Sequence, residues 1–420
     1  MTQFPGFSRF DSIHYVRHPR RITCWQRRGS WLSFGDFPIL LGLAGALFLA
    51  LPTNAGAQML VSGNDEKVLW DDAGQIMQLS PGKDTISFID IADRENPKIV
   101  TSIALENSIF GPPTNLAVSP SGDIALVANS VTQTKDGEKW KPAPDNKVYV
   151  FDLKANPPKH IGTVPVGKQP SGLSISRKGD LALVANRGDN SITVLTISGK
   201  DVKVTDTIVM GDSVAHVAIS ADGTTALAVK SVVNKVALLK IVGQKVLYEK
   251  YDMTTGVFPY NVDIAPSGKI AIVVNNGGGG FADGNVDTAS VIDLEANPPQ
   301  VIDHVVVGDA PEGFAISPKG DLALAILVAG NSDKKAFFSR NTGTVVALKI
   351  EGKKVTKVSD IEVGGLAEGV AFSPDGAFAY VGNYIDSDIS ILKISGTQVT
   401  ATGKKLKLPG HPASLRGAPN

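Results

Sequence analysis

One short pattern recurs six times along the chain and limits the fold more than any other feature. Each copy alternates bulky and small residues and ends in an x-Gly step, which a second apolar run follows. Alternation at period two is typical of a β-strand, and the glycine supplies the positive φ of a tight hairpin turn. The copies start 44 to 57 residues apart, a period typical of propeller blades. They are residues 116–122, 173–179, 217–223, 262–268, 314–320 and 370–376.

A further strand of each repeat can be counted independently, and it occurs seven times rather than six. The copies are residues 86–91, 148–153, 192–197, 236–241, 289–294, 345–350 and 389–394. Seven copies of this strand require a seventh hairpin, which no x-Gly pattern supplies. Residues 410–415 are predicted to be its first strand, and residues 59–62 its second. One blade would then combine both ends of the repeat array, which closes the ring and removes the open sheet edge. The predicted fold class is therefore all-β: a seven-bladed β-propeller of four-stranded antiparallel blades, closed by pairing of the N- and C-terminal strands.

The second strand of each repeat is the apolar run that follows the x-Gly turn, and three of these strands resemble a known repeat. Tyr380-Val-Gly-Asn383 and the Leu-Val-Ala-Asn segments at 126–129 and 183–186 resemble the YVTN repeat of seven-bladed β-propellers. That family includes exported bacterial propellers and lactonase-type enzymes, and the resemblance covers essentially all of residues 58–420. Because the apolar residues of the motif fill the core between blades, the resemblance implies the fold and leaves the function open.

Residues 1–57 carry the pattern of a secretory signal peptide. Six arginines stand against two aspartates, an apolar run spans residues 37–51, and a small-x-small site ends at Ala57. The run is shorter than the roughly 20 residues of a membrane-spanning helix, so an uncleaved anchor is the weaker alternative. We therefore expect cleavage after Ala57, a propeller at residues 58–420, no membrane span after cleavage, and a periplasmic or secreted protein. The export route, Sec or twin-arginine, stays open.

Cleavage would change both the cysteine content and the charge. Cys24, the single cysteine, would be lost, which excludes a disulfide, a thiolate metal site, a nucleophilic cysteine and a covalently attached haem. The remaining chain would hold 35 basic and 39 acidic residues, without the basic excess that nucleic-acid binding requires. We predict no nucleic-acid partner, no resident cofactor and no metal site.

In each repeat, the strand before the x-Gly turn is predicted to be the innermost strand of its blade. Two consecutive positions of each inner strand are predicted to form a ring around the mouth of the central channel, at the end opposite the turns. Most members of the ring are small. The larger polar members, which we take as candidate ligand-binding residues, are Asn115, His216, Tyr260, Asn261, Glu312 and Glu368. The alternative interpretation is structural: these amides and rings would satisfy backbone donors, and the two glutamates would be solvated charges at the rim.

Four long links between strands are predicted to emerge on the same face: 64–84, 131–146, 277–286 and 328–342. Insertions on one face of a repeat array usually build its binding surface. Trp70 and Trp140, the only tryptophans after residue 57, lie in two of these links and are added to the candidate site. Aromatic rings on loops offer apolar contact area to a ligand or partner, although both could simply hold the loops onto the blades.

Three functions stay open on the sequence. The first is an exported, non-enzymatic propeller that binds a protein partner or a small molecule at the channel-mouth face. The second is a lactonase-like hydrolase or cycloisomerase, with His216 as the base and Glu312 or Glu368 as the acid. The third is a scaffold subunit of a periplasmic redox enzyme whose cofactor lies on a neighbouring chain. Because no catalytic motif of the common classes occurs, the balance favours a protein that is not an enzyme.

Overall fold

The computed structural model describes residues 58–71, 74–279, 281–328 and 334–418, and the predicted signal peptide lies outside them. The first sixteen strands are β1 (Met59–Asp65), β2 (Val68–Trp70), β3 (Ile76–Gln78), β4 (Thr85–Asp90), β5 (Lys98–Ala104), β6 (Leu116–Val118), β7 (Ile124–Asp136), β8 (Lys139–Asp152), β9 (Lys159–Pro165), β10 (Pro170–Ile175), β11 (Leu181–Asn186), β12 (Ser191–Ser198), β13 (Asp201–Val209), β14 (Val217–Ile219), β15 (Thr225–Lys230) and β16 (Lys235–Val242). The others are β17 (Lys245–Thr254), β18 (Pro259–Ile264), β19 (Ile270–Asn275), β20 (Asp287–Asp293), β21 (Gln300–Gly308), β22 (Pro311–Ile316), β23 (Leu322–Leu327), β24 (Thr344–Glu351), β25 (Lys354–Glu362), β26 (Ala367–Phe372), β27 (Phe378–Asn383), β28 (Asp388–Ser395), β29 (Gln398–Lys407) and β30 (His411–Gly417). One 3-10 turn spans Ser231–Val233.

Within the described residues these strands form seven four-stranded antiparallel sheets and one small hairpin, β2–β3. Six sheets use four consecutive strands each, from β6–β9 to β26–β29, and we number them blades 2 to 7. Blade 1 has the order β30-β1-β4-β5. The innermost strands of neighbouring blades contact one another around a complete ring. The seven-bladed propeller predicted from the repeats is therefore confirmed.

The ring is closed by the two ends of the repeat array. β30 lies antiparallel to β1, with Leu415 opposite Ser62 and Ser414 opposite Gly63. β1 pairs on its other side with β4, so β30 takes the place of a first strand. The predicted pairing of residues 410–415 with residues 59–62 is confirmed, and β30 covers the inner edge of β1.

The core lies between blades rather than inside any one of them. Val274 and Val291 of blade 5, for example, are buried in one cluster with Ala325 and Val346 of blade 6. These residues sit on the flat faces of the sheets, because successive side chains of a strand point to opposite faces. Each blade thus buries both faces against its neighbours, which holds the inner strands in fixed positions around the channel.

Glycine is required where inner strands approach most closely. The N–H of Gly172 donates to the carbonyl of Ala215 in the next blade at 2.9 Å. A Cβ added to Gly313 would overlap the carbonyl oxygen of Glu368. The short distance between inner strands therefore limits these ring positions to glycine.

Replacing Gly313 with alanine is expected to lower the free energy of unfolding by about 1–3 kcal/mol, because the backbone of two inner strands must separate. Urea denaturation followed by circular dichroism measures this. Gly162→Ala is the matched control, since its φ is ordinary and the Cβ that alanine adds there meets no heavy atom within 4 Å. Equal stabilities of the two variants would contradict the close approach.

Two insertions rise above the channel-mouth face. The β2–β3 hairpin lies in the link between β1 and β4, and β7 and β8 extend into a long hairpin. The two insertions touch, with Gln133 donating to the side-chain oxygen of Gln78. The described residues include no helix with the length and apolarity that crossing a bilayer needs.

Candidate functional site

The central channel holds a cavity at its mouth, which we call the mouth cavity. Its volume is about 220 Å³. The side chains around its rim are mainly apolar: Trp70, Ile109, Phe110, Phe281, Val328 and Leu366. The side chains below them are polar: Arg187, Tyr260, Glu312 and Glu368. An apolar enclosure with a few convergent polar groups is the usual form of a small-molecule site.

Three of the polar residues hold equivalent places in three consecutive blades. Tyr260, Glu312 and Glu368 are each the second residue of an inner strand, β18, β22 and β26. The residue just before each of these strands has a left-handed backbone, with φ of 51° at Phe258, 51° at Ala310 and 46° at Leu366. The three strands therefore begin in the same way, and their second side chains line one cavity.

Glu312 and Glu368 are buried, with 6% and 3% of their surfaces exposed. The interpretation of them as solvated rim charges is therefore wrong. Asn276 donates to Glu312 Oε1 at 3.3 Å, while Glu368 Oε2 is buried without a hydrogen-bond partner among the described residues. An orphaned buried carboxyl oxygen is costly, and such a group usually meets water or a ligand.

The two carboxyl groups hold their protons more tightly than ordinary glutamates. Burial raises the pKa of Glu312 to about 8, although the charge of Arg187 and the Asn276 hydrogen bond act in the opposite direction. Burial also raises the pKa of Glu368 well above its ordinary value, and the nearby charge of Glu312 adds to this. At neutral pH the pair is therefore largely protonated and can donate as well as accept hydrogen bonds.

Arg187 was missed by the sequence analysis. It follows Asn186, the last residue of β11, and its side chain lines the mouth cavity. Asn186 itself is occupied, since it donates to Ser191 Oγ at 3.0 Å and Thr193 Oγ1 at 2.9 Å. Its position in the sequence could have identified it, because Arg187 follows the mouth end of a second strand and begins a short link.

The two tryptophans occupy different places. Trp70 lines the mouth cavity and packs edge-on against Tyr384, with ring centroids 5.7 Å apart. Trp140 lies on the extended part of β8, with Lys135 Nζ 6.0 Å from its ring centroid. Trp140 is not among the residues that line the mouth cavity. The structure brings only Trp70 to the predicted site.

Three other candidates make structural hydrogen bonds. Asn115 donates to Asn107 Oδ1 and to the carbonyl of Ala128, both at 2.9 Å. Asn261 donates to the backbone carbonyl of Glu312 at 3.2 Å. His216 Nδ1 accepts the N–H of Val262 at 3.3 Å. Each side chain thus satisfies or bridges backbone groups of inner strands, as the structural interpretation expected.

His216 lines a separate cavity at the other end of the channel, whereas Glu312 and Glu368 line the mouth cavity. The proposed pairing of His216 as a base with either glutamate as an acid has no shared cavity in which a substrate would meet both. Burial also lowers the pKa of His216 well below its ordinary value, and the charge of Arg416 adds to this. The imidazole is therefore neutral at pH 7.

A buried ion cluster fixes the rim of the mouth cavity. Lys67 is fully buried, with Nζ 2.5 Å from Asp84 Oδ2 and 3.4 Å from Asp65 Oδ1, and it also donates to the backbone oxygen of Asn107. Asp65 Oδ2 accepts the N–H of Ile109 at 2.8 Å. The cluster thus ties the link that carries Trp70 to the segment that carries Ile109.

The described residues contain no group of three His, Cys, Asp or Glu side chains placed to hold a metal ion.

Comparison with known proteins finds one family model and several solved structures that are similar to this chain. Residues 66–207 match the family model of the Choice-of-anchor I domain. No curated protein matches the chain by sequence. A putative 6-phosphogluconolactonase from Bacteroides uniformis is similar in structure, with a TM-score of 0.65 at 13% identity over 86% of this chain and 99% of that one.

Two further solved structures are similar. The periplasmic gluconolactonase of Pseudomonas aeruginosa has a TM-score of 0.62 at 17% identity, covering 86% of this chain and 98% of that one. Hydrazine synthase from Kuenenia stuttgartiensis has a TM-score of 0.53 at 20% identity, covering 69% of this chain and 78% of that one. At these identities the likeness shows the fold alone.

Proposed function

We propose that the protein is an exported β-propeller that binds a small molecule with an ammonium head group and an apolar body in the mouth cavity. One observation carries the proposal: Glu368 Oε2 is buried and, among the described residues, unpartnered beside Glu312, beneath an apolar rim. The orphaned oxygen calls for a donor from a ligand, and the rim calls for apolar surface. Export and the YVTN-repeat resemblance rest on the sequence patterns alone.

An ammonium suits this cavity better than a neutral donor. The rings of Trp70, Phe110 and Phe281 attract a cation through their faces, and a carboxylate forms a charge-assisted hydrogen bond with it. Loss of one proton from the pair would supply the carboxylate that the ammonium needs.

The protonation equilibrium permits such binding. With the pKa of Glu312 at about 8, removing one proton at pH 7 costs about 1.4 kcal/mol. A hydrogen bond to a charged group returns about 1.5–3 kcal/mol, and burial of the apolar body adds to that. The gain therefore exceeds the cost, and affinity should rise with pH while the amine keeps its proton.

Calorimetric titration with phenethylamine at pH 7.5 tests the proposal, with 3-phenylpropionate as the matched acid. We expect saturable binding of the amine and none of the acid. Trp70→Ala is expected to weaken amine binding at least tenfold, about 1.4 kcal/mol, through loss of rim contact. Trp140→Ala is the control, because that ring does not line the mouth cavity. Equal binding of the acid, or an equal loss in the control, would refute the proposal.

A lactone hydrolase is the second candidate, favoured by the raised pKa values of two adjacent carboxyl groups. The similar structures include proteins described as gluconolactonases, which motivates the same test. In this candidate a protonated glutamate is the acid and its neighbour the base, since His216 lies in the other cavity. Turnover of gluconolactone above the spontaneous rate, lost in Glu312→Gln, would favour hydrolysis; no turnover would leave ligand binding.

A protein partner at the same face is favoured by exposed rings on the predicted mouth-face links. Phe281 is 53% exposed and Phe337 is 93% exposed. Apolar rings exposed together often mark interaction surfaces. Replacing Phe337 alone with serine should weaken partner binding and leave phenethylamine binding unchanged, because Phe337 does not line the mouth cavity. A scaffold role in a redox complex is one form of this candidate.

A further inference from the structure

The other end of the channel holds a second cavity, which we call the turn-face cavity. Its volume is about 210 Å³, and Pro266, Ser317 and Pro318 of the hairpin turns line it. Arg177, His216, Asp263 and Arg416 also line it. None of these residues takes part in the mouth cavity.

Arg416 is a half-buried cation that is held by backbone carbonyls. Its Nη1 donates to the carbonyl of Val370 at 2.8 Å and its Nη2 to the carbonyl of Phe314 at 3.2 Å. Within the described part of the chain, its guanidinium makes no direct contact with a carboxylate. Three of its five N–H groups stay available, because two backbone carbonyls occupy only two of them. A charge drawn out of water without an ion-pair partner is costly, so this arrangement favours an anion.

Arg177 adds a second positive charge to the same cavity. It is half-buried, and its side chain makes no hydrogen bond or ion pair with the described residues. The neutral His216 accepts at Nδ1, so its proton lies on Nε2 as a further donor.

Asp263 interacts electrostatically with both arginines but offsets only one of their two charges. Its Oδ2 accepts the N–H of Ile316 and its Oδ1 the N–H of Ile264, both at 2.9 Å. The carboxylate is thus engaged by backbone donors, and one negative charge faces two positive ones. The turn-face cavity is positive overall.

We propose that the turn-face cavity binds a small oxyanion, a carboxylate or a phosphate, through Arg416 and Arg177. Guanidinium groups match the geometry of both anions and form paired charge-assisted hydrogen bonds with them. The volume, roughly seven times the 30 Å³ of a water molecule, admits an ion the size of malonate or phosphate. The site is independent of the mouth cavity and of its proposed ligand.

Isothermal titration calorimetry of the full chain with inorganic phosphate and with malonate tests this, in a buffer free of other oxyanions. Malonamide is the neutral control for malonate. We expect at least one of the two anions to bind and malonamide not to bind. Arg416→Gln and Arg177→Gln should each weaken anion binding at least tenfold. Arg177→Gln keeps the test informative if Arg416→Gln fails to fold, because the Arg177 side chain bonds to none of the described residues.

Lys178→Gln is the matched control, since Lys178 is exposed on the same turn and does not line the cavity. It removes one positive charge near the turn face and should leave anion binding unchanged. Absence of binding by both anions, equal binding of malonamide, or an equal loss in Lys178→Gln would each overturn the proposal. Phenethylamine binding measured on the same samples shows separately whether the mouth cavity is functional.

Discussion

Replacing Lys67 with methionine is expected to lower the free energy of unfolding by about 3–5 kcal/mol, the cost of breaking a buried ion pair on one side. Lys67 is fully buried between Asp65 and Asp84, so the change leaves two carboxylates buried without their cation. Protonation of Asp65 would reduce this loss, because burial already raises the pKa of that carboxyl group to about 6. Urea denaturation at pH 7.5 measures the effect.

Lys203→Met is the matched control, because the side chains of the Lys203–Asp201 pair are 70% and 57% exposed. Exposed pairs contribute little, so no measurable change is expected there. The Lys67 variant should also bind phenethylamine more weakly, since the ion cluster anchors the link with Trp70. A Lys67→Met protein as stable as the control would show that the cluster does not hold the rim.

Raising the pH from 6.5 to 8 is expected to destabilise the protein by about 1.7 kcal/mol through Glu312 alone, with a further loss from Glu368. The folded state keeps protons on these carboxyl groups, whereas the unfolded state, with ordinary pKa values near 4.5, has released them. Folding is therefore linked to proton uptake, and its stabilising contribution is full below pH 4.5 and lost as pH rises through about 8.

Comparison with a double variant separates these two groups from other carboxyl groups whose pKa burial raises, such as Asp263 and Asp287. The lowered pKa of His216 acts with the opposite sign, but only below the ordinary value of 6.5, where the unfolded chain takes up a proton. The pKa of Asp65, at about 6, also lies below the pH range of this comparison. Guanidinium denaturation at pH 6.5 and pH 8 should show the decrease in the native protein and a smaller one in the Glu312→Gln/Glu368→Gln double variant. The same slope in both proteins would contradict the burial of the pair.

The blade count and its closure could be predicted because they depend on periodicity. Seven copies of one strand and six of the hairpin require a missing inner strand, and β30 supplies it. The mouth residues followed from the same counting: Tyr260, Glu312 and Glu368 line one cavity. Because the local sequence specifies which strand residues are buried, counting repeats along the chain was sufficient to predict the blades and these three residues.

The side-chain directions of the residues at the next ring position could not be predicted by counting. His216 and Asn261 are one residue further along their segments than the members that face the mouth, and consecutive strand residues point in opposite directions. A register shift between Pro259 and Asn261 shows that the start of β18 is also irregular. Their side chains therefore serve backbone groups deeper in the channel.

The burial of the two glutamates and the places of Arg187 and Trp140 could not be predicted, because they depend on how the links between strands pack over the mouth. Whether Glu312 is solvated is decided by what covers it, and Trp70, Phe281 and Leu366 come from segments without periodicity. Arg187 reaches the cavity through a long flexible side chain, and Trp140 lies on a hairpin whose direction no repeat fixes. Such placements are set by tertiary packing rather than by local pattern.

The number of protons released when phenethylamine binds tests the mouth cavity most directly. It is obtained at pH 7 from calorimetry in buffers of different ionisation enthalpy. Because the ammonium would meet a carboxyl pair that is largely protonated, we predict release of about one proton per amine bound. Binding without proton release, or no binding of the amine, would contradict a ligand site built on Glu312 and Glu368.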